Sequence, residues 1–177
     1  MSLMDILKSY ADRPTDTHAD FDEVSRQVPA DALGGGIADA FRSDKTPDFG
    51  NMAASLFGGS DPTQRAGLLG QLIRSVGPAV LSTIAGGGLG KLLQGLGAGA
   101  GATAGGSATP IDISPADAAQ VTPDQVREIA TEAQKKDPGV LDRVGAYYAQ
   151  HPEVVKVLGG AALAIALGQV ASRMKRS

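Results

Sequence analysis

Five dipeptides in which Ser, Thr or Asp precedes Pro divide this sequence into segments that are expected to be helical. They are Thr46-Pro47, Asp61-Pro62, Ser114-Pro115, Thr122-Pro123 and Asp137-Pro138. The first side chain of each pair can accept hydrogen bonds from the unpaired N–H groups of a helical first turn, and Pro is preset for the first helical position. Gln125 completes a capping box with Thr122, and Gln64 has the same spacing from Asp61. We therefore predict that a helix begins at each site.

Apolar residues recur at intervals of three and four between these sites, as on the buried face of an amphipathic helix. The clearest faces are Leu68, Leu69, Leu72, Ile73 and Val76, and Val126, Ile129, Ala130 and Ala133. Shorter ones are Leu3, Ile6, Leu7 and Tyr10, then Phe21, Val24 and Val28 after Asp20, then Leu33, Ile37 and Phe41. The triplet Gly34-Gly35-Gly36 is expected to weaken the last of these helices. Since no alternating strand pattern of useful length occurs, we predict an all-α fold.

A glycine-rich stretch over residues 86–106 predicts how the chain divides into domains. Ordering so much glycine has a high entropic cost, so a flexible linker is expected there. We predict an N-terminal helical domain over 1–96, a Gly/Ala-rich linker over 97–110 and a C-terminal helical region over 111–177. The chain would then form two small helical bundles. The alternative is a helix in which Gly86 and Gly90, and Gly95 and Gly99, let another backbone approach closely.

Charge and composition exclude several classes of function. The net charge of −3 argues against nucleic-acid binding, because phosphate contacts need a dense positive face. The absence of Cys excludes disulfides and thiolate chemistry and fits a cytoplasmic protein. Aromatic residues make up 4% of the chain and Trp is absent, so the core is expected to be small and to gain from self-association.

Catalytic and cofactor motifs are missing from the sequence. Lys91 follows Gly90 but precedes Leu92, so the glycine-rich stretch cannot complete a Walker loop. The acidic run from Asp16 to Glu23 lacks the central Gly and closing Glu of a calcium loop, and more simply favours the start of a helix. We predict a protein that is not an enzyme, with no catalytic, cofactor-binding or metal-binding residues. A catalytic site built from dispersed Asp, Glu, Arg and Tyr stays an alternative, because geometry alone reveals such sites.

The C-terminal segment is the most informative for function. Between Val154 and Ala171 the clearly polar side chains are Lys156 and Gln169, and Arg173, Lys175 and Arg176 follow. The segment is predicted to form a long apolar helix that needs cover on every face. The residues expected to supply contacts to another copy or to a membrane are Val154, Val157, Leu158, Ala161, Ala162, Leu163, Ile165 and Leu167.

Two hypotheses follow for this helix. The uninterrupted apolar stretch from Val157 to Leu167 is short for a bilayer span and is more typical of a buried helix. The first hypothesis is therefore a cytoplasmic homo-oligomer, a self-assembling or scaffold protein joined through this helix. The alternative is a tail-anchored inner-membrane adaptor whose N-terminal helical domain lies in the cytoplasm, with the basic end of the helix on the cytoplasmic side.

Two parts of the sequence resemble bacterial proteins. Residues 28–43 (VPADALGGGIADAFRS) and 51–78 (NMAASLFGGSDPTQRAGLLGQLIRSVGP) are similar to the YidB-like family of unknown function. The segment LFGGSDPTQ and the later Leu-Leu-Gly-x-Leu resemble that family's helical repeat pattern. Residues 121–164 are similar to the tails of uncharacterised bacterial proteins. The resemblance implies a small bacterial all-α protein, and it supplies no catalytic residues.

Overall fold

A computed structural model describes residues 17–76 and 113–176. The helices in these two ranges are α1 (Thr17–Gln27), α2 (Ala30–Arg42), α3 (Phe49–Gly59), α4 (Pro62–Val76), α5 (Pro115–Ala118), α6 (Pro123–Lys136), α7 (Val140–Ala149), α8 (Pro152–Val155), a 3₁₀ turn (Lys156–Leu158) and α9 (Gly160–Arg176). No strand occurs within the described ranges. The prediction of an all-α fold is confirmed for them.

The helices form two compact units, and each unit combines segments that are distant in sequence. The first unit consists of Met1–Asp48 and Leu141–Ser177. Within it α9 packs mainly against α2 and also contacts α1, which in turn contacts α8. Its core includes the fully buried side chains of Phe21, Ile37, Val144, Tyr148 and Leu163.

The second unit consists of Phe49–Val140. Helix α6 packs against both α3 and α4, and α4 also packs against the short helix α5. The helical face predicted after Pro62 is buried at every one of its positions, and so is the face predicted after Pro123. The three-and-four spacing of apolar residues therefore located the buried sides of α4 and α6 correctly.

Three of the five predicted helix starts are confirmed. Asp61 Oδ1 accepts a hydrogen bond from the N–H of Gln64 at 2.8 Å, and Gln64 Oε1 accepts one from the N–H of Asp61 at 3.0 Å. Thr122 and Gln125 form the same reciprocal pair. Ser114 Oγ accepts from a backbone N–H of the first turn of α5. In each case Pro is the first helical residue, as the dipeptide predicts.

The other two predicted starts are wrong in position. Helix α3 begins at Phe49, and Thr46 Oγ1 donates to the carbonyl oxygens of Ala40 at 2.6 Å and Ser43 at 2.8 Å. Its hydroxyl therefore closes the end of α2. Asp137 accepts from the N–H of Gly139 at 2.9 Å, and α7 begins one residue later. Both helices thus begin two residues after the predicted proline, α3 at Phe49 and α7 at Val140.

The glycine triplet of α2 is the place where the helices of the first unit approach most closely. A Cβ atom added to Gly34 would lie 2.9 Å from Cα of Ala146 in α7, and one on Gly36 would lie 2.7 Å from the carbonyl oxygen of Ala166 in α9. A Cβ on Gly35 would meet the guanidinium of Arg173 at 2.7 Å. The triplet therefore faces two neighbouring helices, α7 at Gly34 and α9 at Gly35 and Gly36. Close packing thus offsets the helix-weakening effect expected from the sequence.

The prediction of one long apolar C-terminal helix is wrong. Gly159 has φ 85°, a left-handed value that interrupts the segment between the 3₁₀ turn and α9. Helix α9 then starts at Gly160 and is amphipathic, with Ala162, Leu163, Ala166, Leu167 and Val170 buried. The apolar run is therefore divided among α8, the 3₁₀ turn and α9. We find no helix in the described ranges that has both the length and the apolar character for a membrane span.

The predicted division at residues 96 and 111 stays a prediction, because the boundary and the linker over 97–110 lie outside the described residues. The same holds for the predicted helix over residues 3–10 and for the alternative glycine stripe over 86–99. Among the described helices, those from either side of the predicted linker share a unit: α2 packs with α9, and α3 packs with α6.

Candidate functional site

The residues predicted to associate with another copy or a membrane fall into two groups. Val154, Ala162, Leu163 and Leu167 are each at most 4% exposed and belong to the core of the first unit. Val157 and Ala161 are exposed, and Leu158 and Ile165 are half-buried. The chain itself thus covers half of the predicted contact residues, because α9 lays one side on α2. The other half remains available to a partner.

The available residues belong to the 3₁₀ turn and to the outward side of α9. We define the outward strip as Val157, Leu158, Ala161, Ala164, Ile165 and Gly168. Ala161, Ile165 and Gly168 follow one another at spacings of four and three, so they share one side of α9. Val157 is 46% exposed and is the one large hydrophobic side chain that is exposed in the described part of the chain. The strip carries no charged side chain.

Gly168 belongs to this strip but was not among the contact residues predicted from the sequence. A Cβ atom added to Gly168 would meet no atom within 4 Å. The residue therefore lies in the interior of α9 with open space beside its backbone. The signal that could have identified Gly168 is its place inside a predicted helix. Glycine is unfavourable there, so its presence calls for a reason.

Opposite charges lie at the two ends of the strip. At the end where α9 finishes, Lys175 and Arg176 are exposed. Near the beginning, the Glu153 side chain is 61% exposed, with Oε1 3.7 Å from Nδ1 of His151. Helix α1 is acidic and reaches this end, because Thr17 is 3.7 Å from a Cβ placed on Gly160. The strip therefore runs from an acidic end to a basic end.

An acidic residue of α1, Asp22, holds the segment just before α9. Lys156 Nζ lies 2.7 Å from Oδ2 of Asp22, and both side chains are about one third exposed. The pair joins the 3₁₀ turn to α1 across most of the sequence. The next side chain along the turn, that of Val157, is exposed.

A chain of four charged side chains holds the other end of α9 to α2 and α7. Arg173 donates to Asp39 Oδ2 at 2.9 Å, and Arg42 Nη1 lies 3.6 Å from Asp39 Oδ1. Arg42 also donates two hydrogen bonds to Asp142, at 3.1 and 2.6 Å. These bonds lower the pKa of Asp142 and raise the pKa of Arg42. The paired geometry accounts for both shifts, so this cluster is a structural contact.

The acidic run that was weighed as a metal site is spread along α1. Asp16 lies outside the described residues, and Asp22 is used by Lys156. In the two described ranges no three His, Cys, Asp or Glu side chains converge as a set of metal ligands. His151 precedes α8 and has its ring centroid 5.2 Å from that of Tyr147. The contacts of Asp22 and His151 are therefore contacts that hold the fold together.

A groove of about 330 Å³ lies in the second unit, beside α4 and the start of α5. Its walls include the small residues Ala66, Gly67 and Gly70, and its one charged lining residue is Arg74. A ligand site usually combines an apolar pocket with several convergent polar groups, and this groove has one charged side chain among small residues. The outward strip is therefore the better candidate for a functional surface.

Comparison with protein-family models, curated proteins and solved structures finds no match to this chain. The resemblance to the YidB-like family, carried by residues 28–43 and 51–78, stays a prediction.

Proposed function

We propose that the protein acts by self-association and not by catalysis, and that copies meet through the outward strip of the C-terminal segment. The observation that carries this proposal is the 46% exposure of Val157 in the 3₁₀ turn that precedes α9, where Ala161 is exposed and Ile165 is half-buried. Removing an apolar surface of this kind from water lowers the free energy of the system.

A second copy is the occupant that best fits the strip. Its small residues, Ala161, Ala164 and Gly168, permit two helices to approach closely, and identical strips can pair about a two-fold axis. The opposite charges at its ends also make it complementary to itself. A partner with a uniformly charged surface would meet repulsion at one end.

The size of the strip predicts a weak complex. Helix α9 has 17 residues and is about 25 Å long. With a width of about 10 Å, it covers on the order of 250 Å² per copy. Stable complexes bury roughly 800 Å² per partner, so we expect dissociation constants in the micromolar to millimolar range. Self-association would then respond to local protein concentration, as suits a scaffold.

The non-enzymatic part of the proposal is supported by the titratable groups. The pKa of Arg42 is raised and that of Asp142 is lowered, chiefly because the two side chains hydrogen-bond to each other at the surface of the first unit. A catalytic acid or base is expected to lie in a cleft with a perturbed pKa. Here the perturbed pair joins two helices instead.

Sedimentation velocity over about 10 μM to about 1 mM tests the proposal. We expect the wild type to shift from monomer to dimer, and Val157→Asp and Ile165→Asp to remain monomeric over the same range. Ala116→Asp, an equally small change at an exposed position of α5, is the matched control and should behave as the wild type. Circular dichroism establishes that each variant retains its helices.

A wild type that stays monomeric at about 1 mM would overturn the proposal. So would dimers that persist in both Asp variants, because self-association would then use a different surface. Flotation with anionic phospholipid vesicles tests the other occupant considered from the sequence. Vesicle binding that Val157→Asp abolishes, from a protein that is monomeric without vesicles, would replace the second copy by lipid.

A further inference from the structure

Lys156 is the one charged residue between Glu153 and Arg173, and it directly precedes the outward strip. Its ammonium stands on a flexible four-carbon stem, so it could reach across Val157 or Leu158 if nothing held it elsewhere. A cation without a partner is costly to bury against an apolar surface. The position of this ammonium therefore bears on whether a second copy can cover the beginning of the strip.

Burial does not fix the position of the Lys156 ammonium. The 3₁₀ turn has no buried side chain, whereas Val154 and Val155 just before it are buried. After the turn, a Cβ added to Gly159 would meet no atom within 4 Å. Successive residues of a 3₁₀ helix point about 120° apart, so Lys156 and Val157 face different directions. A side-chain contact is what can hold the ammonium in its own direction.

Asp22 of α1 makes this contact. Its Oδ2 lies 2.7 Å from Lys156 Nζ, and both side chains are partly shielded from water. Arg26 stands one turn further along α1, at the spacing of an ion pair within a helix, yet Asp22 pairs with Lys156. The ammonium is therefore directed to α1, and its charge is neutralised beside the apolar side chains of the turn.

We propose that Asp22 keeps the Lys156 ammonium off the outward strip and thereby sets how strongly copies of the chain associate. This inference rests on the proposed self-association and assigns to it a pair of residues outside the strip. Asp22 acts through Lys156 and is a positioning residue. With the pair intact, a second copy can cover Val157 and Leu158. Without Asp22, the freed ammonium must lose water when the strip is covered.

Sedimentation velocity, over the concentration range used for the wild type, tests the role of Asp22. Asp22→Asn frees the ammonium and should raise the dissociation constant of the dimer about two- to fivefold, the size expected of a partly exposed ion pair. Glu23→Gln is the matched control, because it removes the same charge from the next residue of α1. Glu23 accepts a hydrogen bond from Gln27 of its own helix, so this variant should dimerise as the wild type does.

Lys156→Met separates the positioning role from a merely structural one. It removes the cation and keeps a long side chain, so copies should associate at least as tightly as the wild type although the ion pair is gone. Adding Asp22→Asn to Lys156→Met should then have no further effect on the dissociation constant. An ion pair that only held the turn in place would weaken association equally in both single variants. Circular dichroism establishes that each variant retains its helices, and Asp22→Ser replaces Asp22→Asn if the latter does not.

The outcomes separate this inference from the proposed function. A dimerising wild type whose Asp22→Asn variant behaves as Glu23→Gln would overturn the role of Asp22 and leave self-association in place. The same holds if Lys156→Met weakens the dimer as much as Asp22→Asn does. A wild type that never dimerises would overturn both.

Discussion

Replacing Gly36 by alanine is expected to destabilise the first unit, although alanine is the better helix former. The new Cβ would lie 2.7 Å from the carbonyl oxygen of Ala166 and closer still to a methyl group of Val170. The oxygen belongs to the backbone of α9 and cannot rotate away. Helices α2 and α9 would have to separate along their contact.

The expected magnitude follows from two opposing terms. Overpacking in a tightly packed interior costs about 1–3 kcal/mol, and exchanging glycine for alanine in a helix gains about 1 kcal/mol. Gly36→Ala should therefore lower the free energy of unfolding by up to about 2 kcal/mol. Gly168→Ala lacks the first term, because nothing lies within 4 Å, and should raise that free energy by about 0.5–1 kcal/mol.

Urea denaturation followed by circular dichroism compares the two variants, at a protein concentration where both are monomeric by light scattering. With a slope of about 1–3 kcal/mol per molar urea, their midpoints should differ by about 1 M. Gly35→Ala is the intermediate case, because Arg173 can swing away from the new methyl group. A Gly36→Ala midpoint equal to that of Gly168→Ala would refute the close contact between α2 and α9.

Three further substitutions test other local contacts. Asp142→Asn should destabilise the protein at neutral pH by at most about 1 kcal/mol, because the pair with Arg42 is exposed. The lowered pKa of Asp142 makes this difference complete above the ordinary value of 3.8 and removes it as the pH falls through the folded-state pKa, which thermal unfolding at several pH values measures. Thr122→Ala should cost about 1 kcal/mol in urea denaturation, and Thr122→Ser should restore most of it. Gly159→Ala should cost about 1–3 kcal/mol in the same assay, because φ is 85°, whereas Gly160→Ala should change little.

Interactions between close neighbours in sequence were the most predictable part of the fold. Asp61 and Thr122 cap the helices that follow them, because the three-residue spacing to Gln64 and Gln125 is enough to specify the reciprocal hydrogen bonds. The same type of dipeptide failed at Thr46. Its hydroxyl closes the preceding helix, and a single side chain carries no information about which of two adjacent helix ends it will serve.

Contacts between distant segments were not predictable from one sequence. The pairing of α2 with α9 joins residues more than a hundred positions apart, such as Asp39 and Arg173. Gly35 and Gly36, which face α9, were a local sign of it, but helix propensity alone interprets glycine as a weakness of the helix. The break at Gly159 was hidden for a similar reason, since a run of small apolar residues fits one long helix as well as two short ones.

The chain has few large side chains with which to fill a core, and in the first unit the backbones of neighbouring helices lie close together instead. Glycine is therefore placed where another helix passes, on α2 and on α7. Gly168 departs from this rule, because no atom lies within 4 Å of a Cβ added there, so alanine at this position should stabilise the first unit where alanine at Gly36 strains it.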